Sequence, residues 1–262
     1  MNTDMNFDLT TIPNVTTMNL DPSVVPLPAT QEIRSELRYS VQYLSTNKLY
    51  TSAKWVGELL AGLASEREET KTPSVGDVPG YVEKTSTATD KLHLARILFD
   101  LKEFNKAAFV LKEFAKPVHQ EALFLHHYSL FLAAEQKKEE EIIENGDSLS
   151  RTTIMNRELN NIKTDLGKLY EEDRLNELNL YLYGIVLKET GQKDAAKQAF
   201  IKSINAYPLI WSVWVDLCGI LDKNDKNLVL SLKDHWMKNF FIANYYLEMQ
   251  LEAESLFINN IL

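Results

Sequence analysis

The stretch Asn176–Trp211, reading NELNLYLYGIVLKETGQKDAAKQAFIKSINAYPLIW, constrains the fold more than any other part of the chain. Leu180, Tyr183, Gly184 and Leu187 fall on one stripe at helical spacing. Ala196 follows Gly184 by twelve residues, Phe200 follows Ala196 by four, and Pro208 closes the unit. Each residue type has a physical reason. Gly184 and Ala196 carry almost no side chain, so two antiparallel helices approach closely where they cross. Phe200 fills the space beside that crossing, and Gly191 in the KETGQKD turn ends the first helix. Pro208 cannot continue a helix, so it stops the second and lets Trp211 begin the next.

This order of residues is the tetratricopeptide signature, a helix–turn–helix unit of about 34 residues that buries its apolar faces by stacking on neighbouring units. The rest of the chain follows as variations on it. Residues 1–29 hold several prolines and no sustained period, which predicts an extended or disordered arm docking through Ile12, Val15 and Leu20. Thr30 is an expected N-cap, with a second helix over Leu49–Ala64. Ser40, Ser52 and Val56 take the crossing positions of this first pair. Residues 65–86 lose periodicity and gain Pro, Gly, Thr and charge, an inserted loop. In the next pair Ala95 and Ala107 are twelve apart, with Leu98 and Leu111 apolar beside them. Ser129 marks the third pair, whose second helix is expected at Thr153–Tyr170 with Ile162 at the crossing. Residues 135–150 between its helices are expected to form a second inserted loop.

The small crossing residues Ser40, Ala95, Ser129, Gly184, Cys218 and Ala243 are separated by 55, 34, 55, 34 and 25 residues. Each long interval contains one insertion, and insertions in loops leave the stacking period of a solenoid intact. The short interval predicts a regular first helix from Trp211 (Trp214, Leu217, Cys218, Leu221) and an abbreviated second one near Asn227–Leu232. Ala243 and Ser255, twelve apart, open a final unit. The expected fold is therefore all-α, an array of about six antiparallel helical hairpins over residues 30–262. That array ends on Leu256, Phe257, Ile258, Ile261 and Leu262 with no polar capping helix, which reads as the N-terminal piece of a longer one.

Net charge −9 argues against nucleic acid as a partner, since phosphate binding needs clustered Lys and Arg. The single cysteine, Cys218, excludes an intramolecular disulfide and fits a reducing compartment. No apolar run approaches the roughly 18 residues that a membrane-spanning helix needs.

Chemistry-bearing clusters are sparse. His126 and His127 are adjacent and point about 100° apart on a helix, so they do not readily share one metal. His93 and His119 lack acidic or cysteine partners at ligand spacing. Cys218 fills a small crossing position and reads as inert and buried. Glu66–Glu69 and Glu139–Glu141 fall in the expected solvated loops, not in a positioned acid–base pair. No cofactor, metal or small-molecule substrate is expected.

By this point the sequence resembles the subunit-eight family of the anaphase-promoting complex (cyclosome), a cell-division-cycle tetratricopeptide scaffold. The residues that carry the likeness are YSVQYLSTNKLYTSAKWVGELL, DKLHLARILFDLKEFNKAAFVL, FLHHYSLFLAAEQKKEEE, LYLYGIVLKETG, YPLIWSVWVDLC and HWMKNFFIANYYLEMQL. Trp-Met-Lys-x-Phe-Phe and the broken repeat before it are the family-specific part. The resemblance implies a non-catalytic structural role in a ubiquitin ligase that marks mitotic proteins, located in nucleus and cytoplasm. It also implies a two-fold homodimer formed by the N-terminal repeats, with other subunits of the complex as further partners. The alternative is a monomeric adaptor that binds a peptide or helix in its groove, distinguished by binding without self-association. An enzyme in a further C-terminal segment is a third class.

For the dimer, Tyr39, Tyr43, Leu44, Leu49, Tyr50, Trp55 and Leu59 form an aromatic-rich surface on the end of the stack, to be covered by a partner chain or, alternatively, by the N-terminal arm of the same chain. For the groove, positions two, five, nine and twelve of each first helix are Thr89, Leu92, Arg96 and Phe99 in one repeat. In another they are Leu178, Tyr181, Ile185 and Lys188. This lining is apolar and aromatic rather than basic, which suits burial of a helix or packing on neighbouring repeats equally well. Thr72-Pro73 in the first insertion is a dipeptide that a proline-directed kinase could reach; such dipeptides are common, and an unmodified loop is the favoured reading.

Overall fold

The computed structural model of the protein describes residues 29–63, 87–145 and 151–249. These residues form helices and connecting turns, with no strand among them. In chain order the helices are α1 (Thr30–Thr46), α2 (Tyr50–Gly62), α3 (Thr87–Asp100), α4 (Phe104–Leu111), α5 (Gln120–Asn145) and α6 (Arg151–Glu171). They continue as α7 (Glu177–Glu189), α8 (Lys193–Ala206), α9 (Trp211–Cys218), α10 (Lys226–Ser231) and α11 (Trp236–Glu248). From α1 to α8 consecutive helices pack in pairs, the second helix of each pair packs on the first helix of the next, and α9 also packs on α11. The first helices also touch in series, α1 on α3, α3 on α5 and α5 on α7, so they line one face of a tetratricopeptide-type array.

The pair α7–α8 forms as its residue types dictate. A Cβ added to Gly184 would overlap the Phe200 ring, so only glycine admits that ring at the crossing. Gly191 holds φ +79° in the turn, where its amide donates to the Lys188 carbonyl and the Gln192 amide to the Leu187 carbonyl. The same turn is made by Lys48 (φ 63°) and Lys102 (φ 61°) in the first two pairs.

Four buried clusters follow one another along the array. Each draws residues from the adjacent hairpin: Ile97 of α3 joins the first, Ala122 of α5 the second, and Leu182 and Val186 of α7 the third. The core is thus one continuous seam, in which a hairpin is fully covered only by its neighbours.

The first hairpin is held to the second by charge as well. Arg38 of α1 donates to both carboxylate oxygens of Asp90 at 2.7 and 2.8 Å, and Asp90 is buried. Lys54 of α2 donates to Glu103 at 2.7 Å.

Three sequence expectations are corrected. Thr30 is not the N-cap: Ala29 is, because its backbone is extended (ψ 146°) and its carbonyl accepts from Glu32 and Ile33, whereas Thr30 is already helical. The crossing residues of the first hairpin are Val41 and Ala53, buried and also twelve apart. Ser52 is exposed and Ser40 half-exposed. The apolar stripe wins that register, since burying a valine gains about 1.5–3 kcal/mol and a buried serine hydroxyl needs a partner.

The third correction concerns the second insertion, whose residues 135–145 are helical, while 146–150 lie outside the described residues. α5 runs 26 residues to Asn145, carrying Glu139 and Glu140 on an exposed helical surface, and α6 begins at Arg151 rather than Thr153. Gln, Lys and Glu are strong helix formers, and Gln136 donates to Glu140 one turn on. The first insertion, the arm over residues 1–28 and the expected unit around Ser255 lie outside the described residues.

The abbreviated repeat is present as a turn of 3-10 helix and the six-residue α10. Lys238, buried in α11, donates to the Leu230 and Leu232 carbonyls at 2.9 and 2.7 Å and to Asp234 at 3.0 Å. The lysine of the Trp-Met-Lys segment therefore caps the short helix before it, replacing hydrogen bonds that a full-length helix would make itself.

Candidate functional site

Two surfaces stand out, one at the end of the array and one along its first-helix face. At the end, Tyr39 and Tyr43 of α1 lie one turn apart and stack with ring centroids at 6.1 Å. Tyr39 is 70% exposed and Trp55 of α2 is 64% exposed, and Tyr43, Leu49 and Leu59 are exposed beside them. They are open because α1 and α2 turn Val41, Ala53, Val56 and Leu60 inward, and no hairpin precedes α1 among the described residues. Leu44 packs partly into the hairpin core, and Tyr50 sits beneath the Lys48 ammonium at 5.8 Å. Five of the seven sequence-nominated residues thus form the exposed surface, and two support it.

Along the first-helix face, Phe99 of α3 meets Phe104 edge-on at 5.2 Å and stacks on Tyr128 of α5 at 5.6 Å. Phe124 stacks on Tyr128 at 5.2 Å. The result is a half-buried aromatic row joining two repeats. Arg96 and Thr89 are exposed beside it, Leu92 packs on the core of that repeat, and Arg96 pairs with Glu121 at 2.6 Å. In the next repeats Tyr181 donates its hydroxyl to Asp216 at 2.9 Å, and Lys188 donates to the other oxygen of Asp216 at 2.7 Å. Ile185 packs between the third and fourth clusters, and Leu178 is half-exposed. Tyr181 and Lys188 therefore spend their polar atoms on α9 of the same chain. Burial, then the Asp216 carboxylate, push the Tyr181 phenol far above its ordinary value, so it stays a donor.

Sequence reasoning missed Asp216, Tyr128 and Lys238. Asp216 had a signal: a lone carboxylate in the apolar eight-residue helix WSVWVDLC needs a partner. Tyr128 had none, because its role depends on how α3 and α5 cross.

Glu135 of α5 is half-buried and has no ion-pair or hydrogen-bond partner among the described residues. Burial, then Glu189, hold its carboxyl above the usual carboxylate range, with Lys138 and Lys188 opposing. Burial, then Glu135 and Asp216, also raise the Tyr128 phenol. Carboxylates thus gather where the aromatic row meets α7.

The histidines serve packing. His126 and His127 present Nδ1 to the Ala108 and Leu123 carbonyls at 2.8 and 3.0 Å, and burial depresses both imidazoles. They line a cavity of about 430 Å³ with Lys112, Asp165, Lys168 and Arg174. Among the described residues no three His, Cys, Asp or Glu side chains converge as metal ligands. Cys218 is buried, and burial followed by Glu248 pushes its thiol up to about 11, which keeps it protonated at neutral pH. No helix among the described residues is long and apolar enough to cross a membrane. Thr72 lies outside the described residues.

Comparison with known proteins places this architecture. The family described as anaphase promoting complex subunit 8 / Cdc23 matches residues 32–260. The chain is 34% identical over 253 residues to anaphase-promoting complex subunit 8 of Arabidopsis thaliana, covering 85% of the chain and 43% of that protein. It is 31% identical over 245 residues to the cell division cycle protein 23 homolog of Bos taurus, covering 93% and 40%. Against the Homo sapiens homolog the identity is 32% over 227 residues, covering 86% and 37%. The chain spans about two fifths of the length of these relatives. An all-helical array with a broken fifth repeat, matched by one family over nearly its whole length, leads to one assignment: the chain belongs to the anaphase-promoting complex subunit 8 / Cdc23 family.

Proposed function

We propose that this chain is a non-catalytic scaffold and homodimerisation module of the anaphase-promoting complex, a ubiquitin ligase that controls mitotic exit. It acts in nucleus and cytoplasm beside other subunits of the complex. The observation that carries the dimer is the exposed aromatic surface of the first hairpin, Tyr39, Tyr43, Trp55 and Leu59. Exposed aromatic and apolar side chains on both helices of an end hairpin are covered most simply by a partner, and aromatic residues are the side chains interfaces favour. The aromatic row along Phe99, Phe124 and Tyr128 offers the complementary apolar groove. Each copy seats its first hairpin in the groove of the other, a self-complementary two-fold arrangement.

Light scattering on the purified chain tests this reading. The expected mass is twice 30.1 kDa, falling to the single value in Tyr43→Glu with Trp55→Glu. A mass of 30.1 kDa for the unaltered chain at tens of micromolar overturns the dimer and leaves the monomeric adaptor. In that case an apolar helical peptide binds the groove without self-association.

A further inference from the structure

The turn of the first hairpin carries a cation at a position that favours glycine. Lys48 holds φ 63°, a left-handed conformation that the equivalent turn of the fourth hairpin gives to Gly191. Keeping a side chain there costs the monomer conformational strain. The Lys48 ammonium is exposed, and within the chain it meets only the Tyr50 ring at 5.8 Å; no carboxylate pairs with it among the described residues. Leu49, next to it in the chain, and Tyr43 of the same hairpin are exposed as well.

The opposite deficit lies in the groove. Glu135 has no hydrogen-bond or ion-pair partner among the described residues, and Glu139 and Glu189 add negative charge around it. Lys188, the cation that faces it from α7, is committed to Asp216 at 2.7 Å, which leaves Lys138 of α5 to oppose three carboxylates. The aromatic row of Phe99, Phe124 and Tyr128 runs up to this point. A partner that brings an aromatic surface with one cation at its edge satisfies both features, and the first hairpin of a second copy is such a surface.

We infer that in the homodimer Lys48 of each copy pairs with Glu135 of the other, fixing the depth to which the first hairpin enters the groove. This rests on the homodimer reading above and adds the contact that sets its register. By two-fold symmetry the pair forms twice. Partial burial under the seated hairpin strengthens it beyond an exposed surface pair.

Lys48→Gly provides a test that folding defects do not confound, because glycine removes the charge and relieves the backbone strain together. Sedimentation equilibrium of the whole chain would give dimer dissociation constants for the unaltered protein, Lys48→Gly, Lys48→Glu, Glu135→Lys and the double charge reversal. Lys48→Gly is expected to melt no lower than the unaltered chain while dimerising about tenfold more weakly. Lys48→Glu and Glu135→Lys should each weaken the dimer further, and the double reversal should recover most of the loss. A dimer of unaltered chains whose constant is the same in Lys48→Gly and in both reversals overturns the Lys48–Glu135 pair alone. So does a double reversal as weak as the product of the single effects. If the unaltered chain is monomeric at every concentration, the homodimer reading and this pair fall together.

Discussion

Single side chains decide how closely the helices approach and which conformations the turns take. Gly184 is the sharpest case, because any Cβ there meets the Phe200 ring. Gly184→Ala should lower stability by about 1–3 kcal/mol, the usual effect of overpacking a core. Thermal melts should show part of that loss restored in Gly184→Ala with Phe200→Leu. Lys102 tests the turn in the opposite sense, since it holds φ 61° with a bulky side chain. Lys102→Gly relieves about 1–2 kcal/mol of left-handed strain against about 0.5–1 kcal/mol of added chain entropy, so urea titration should find it neutral to slightly stabilised. The histidines set a pH dependence. His93, His126 and His127 are all depressed below their ordinary value of 6.5 by burial, so the unfolded chain takes up protons before the folded one. Their stability contribution is complete above pH 6.5 and is lost as pH falls through the lower folded values. Melting temperature should therefore drop between pH 7.5 and 5.5, by less in His126→Asn with His127→Asn; an unchanged slope would exclude these groups.

Whole helices depend on contacts made from outside them. α10 has six residues, too few for an independent helix, and its terminal carbonyls are satisfied by Lys238 from α11. Lys238→Met keeps the apolar stem and removes the donors. It should cost about 1–3 kcal/mol, and hydrogen exchange should localise the loss to residues 226–248. The first hairpin depends in the same way on α3. Asp90 is buried against the half-buried Arg38, and Asp90→Ala removes the two hydrogen bonds it accepts from that guanidinium, at about 1.5–3 kcal/mol. Exchange protection should fall in α1 and α2 while α7 and α8 hold theirs. A uniform loss across the chain would show instead that the array unfolds as one block. α5 illustrates the converse, a long helix whose polar end, Glu135–Glu140, is held by intrinsic propensity and turn-to-turn pairs.

At the scale of the molecule, a hairpin covered only by its neighbours differs from the others where no described hairpin precedes it. That hairpin carries the Tyr39–Tyr43–Trp55 surface, and the groove beside it is lined by α3, α5 and α7. How much of this was legible in the sequence follows from range. Gly184, Ala196, Phe200 and Gly191 could be read because helix period, small-residue crossings and glycine turns act over a few residues, and so could the broken repeat after Cys218. The exposed tyrosines and Trp55 could be read as well, since amphipathic periodicity turns them away from the core. The first hairpin's register was missed because Ser40 and Val41 both satisfy a twelve-residue rule, and only packing on Ile97 of α3 separates them. Residues 135–145 read as a loop because charge and lost periodicity resemble one, yet a solvated helix needs neither an apolar face nor a partner. Sequence alone therefore determined the repeat, its family and its all-helical class, which arise from local backbone preference and apolar spacing. Tertiary structure alone decided that Tyr181 and Lys188 close on Asp216, that Lys238 caps α10 and that Glu135 makes no ion pair among the described residues. Those outcomes depend on distances between residues far apart in the chain, which packing sets and local sequence does not encode.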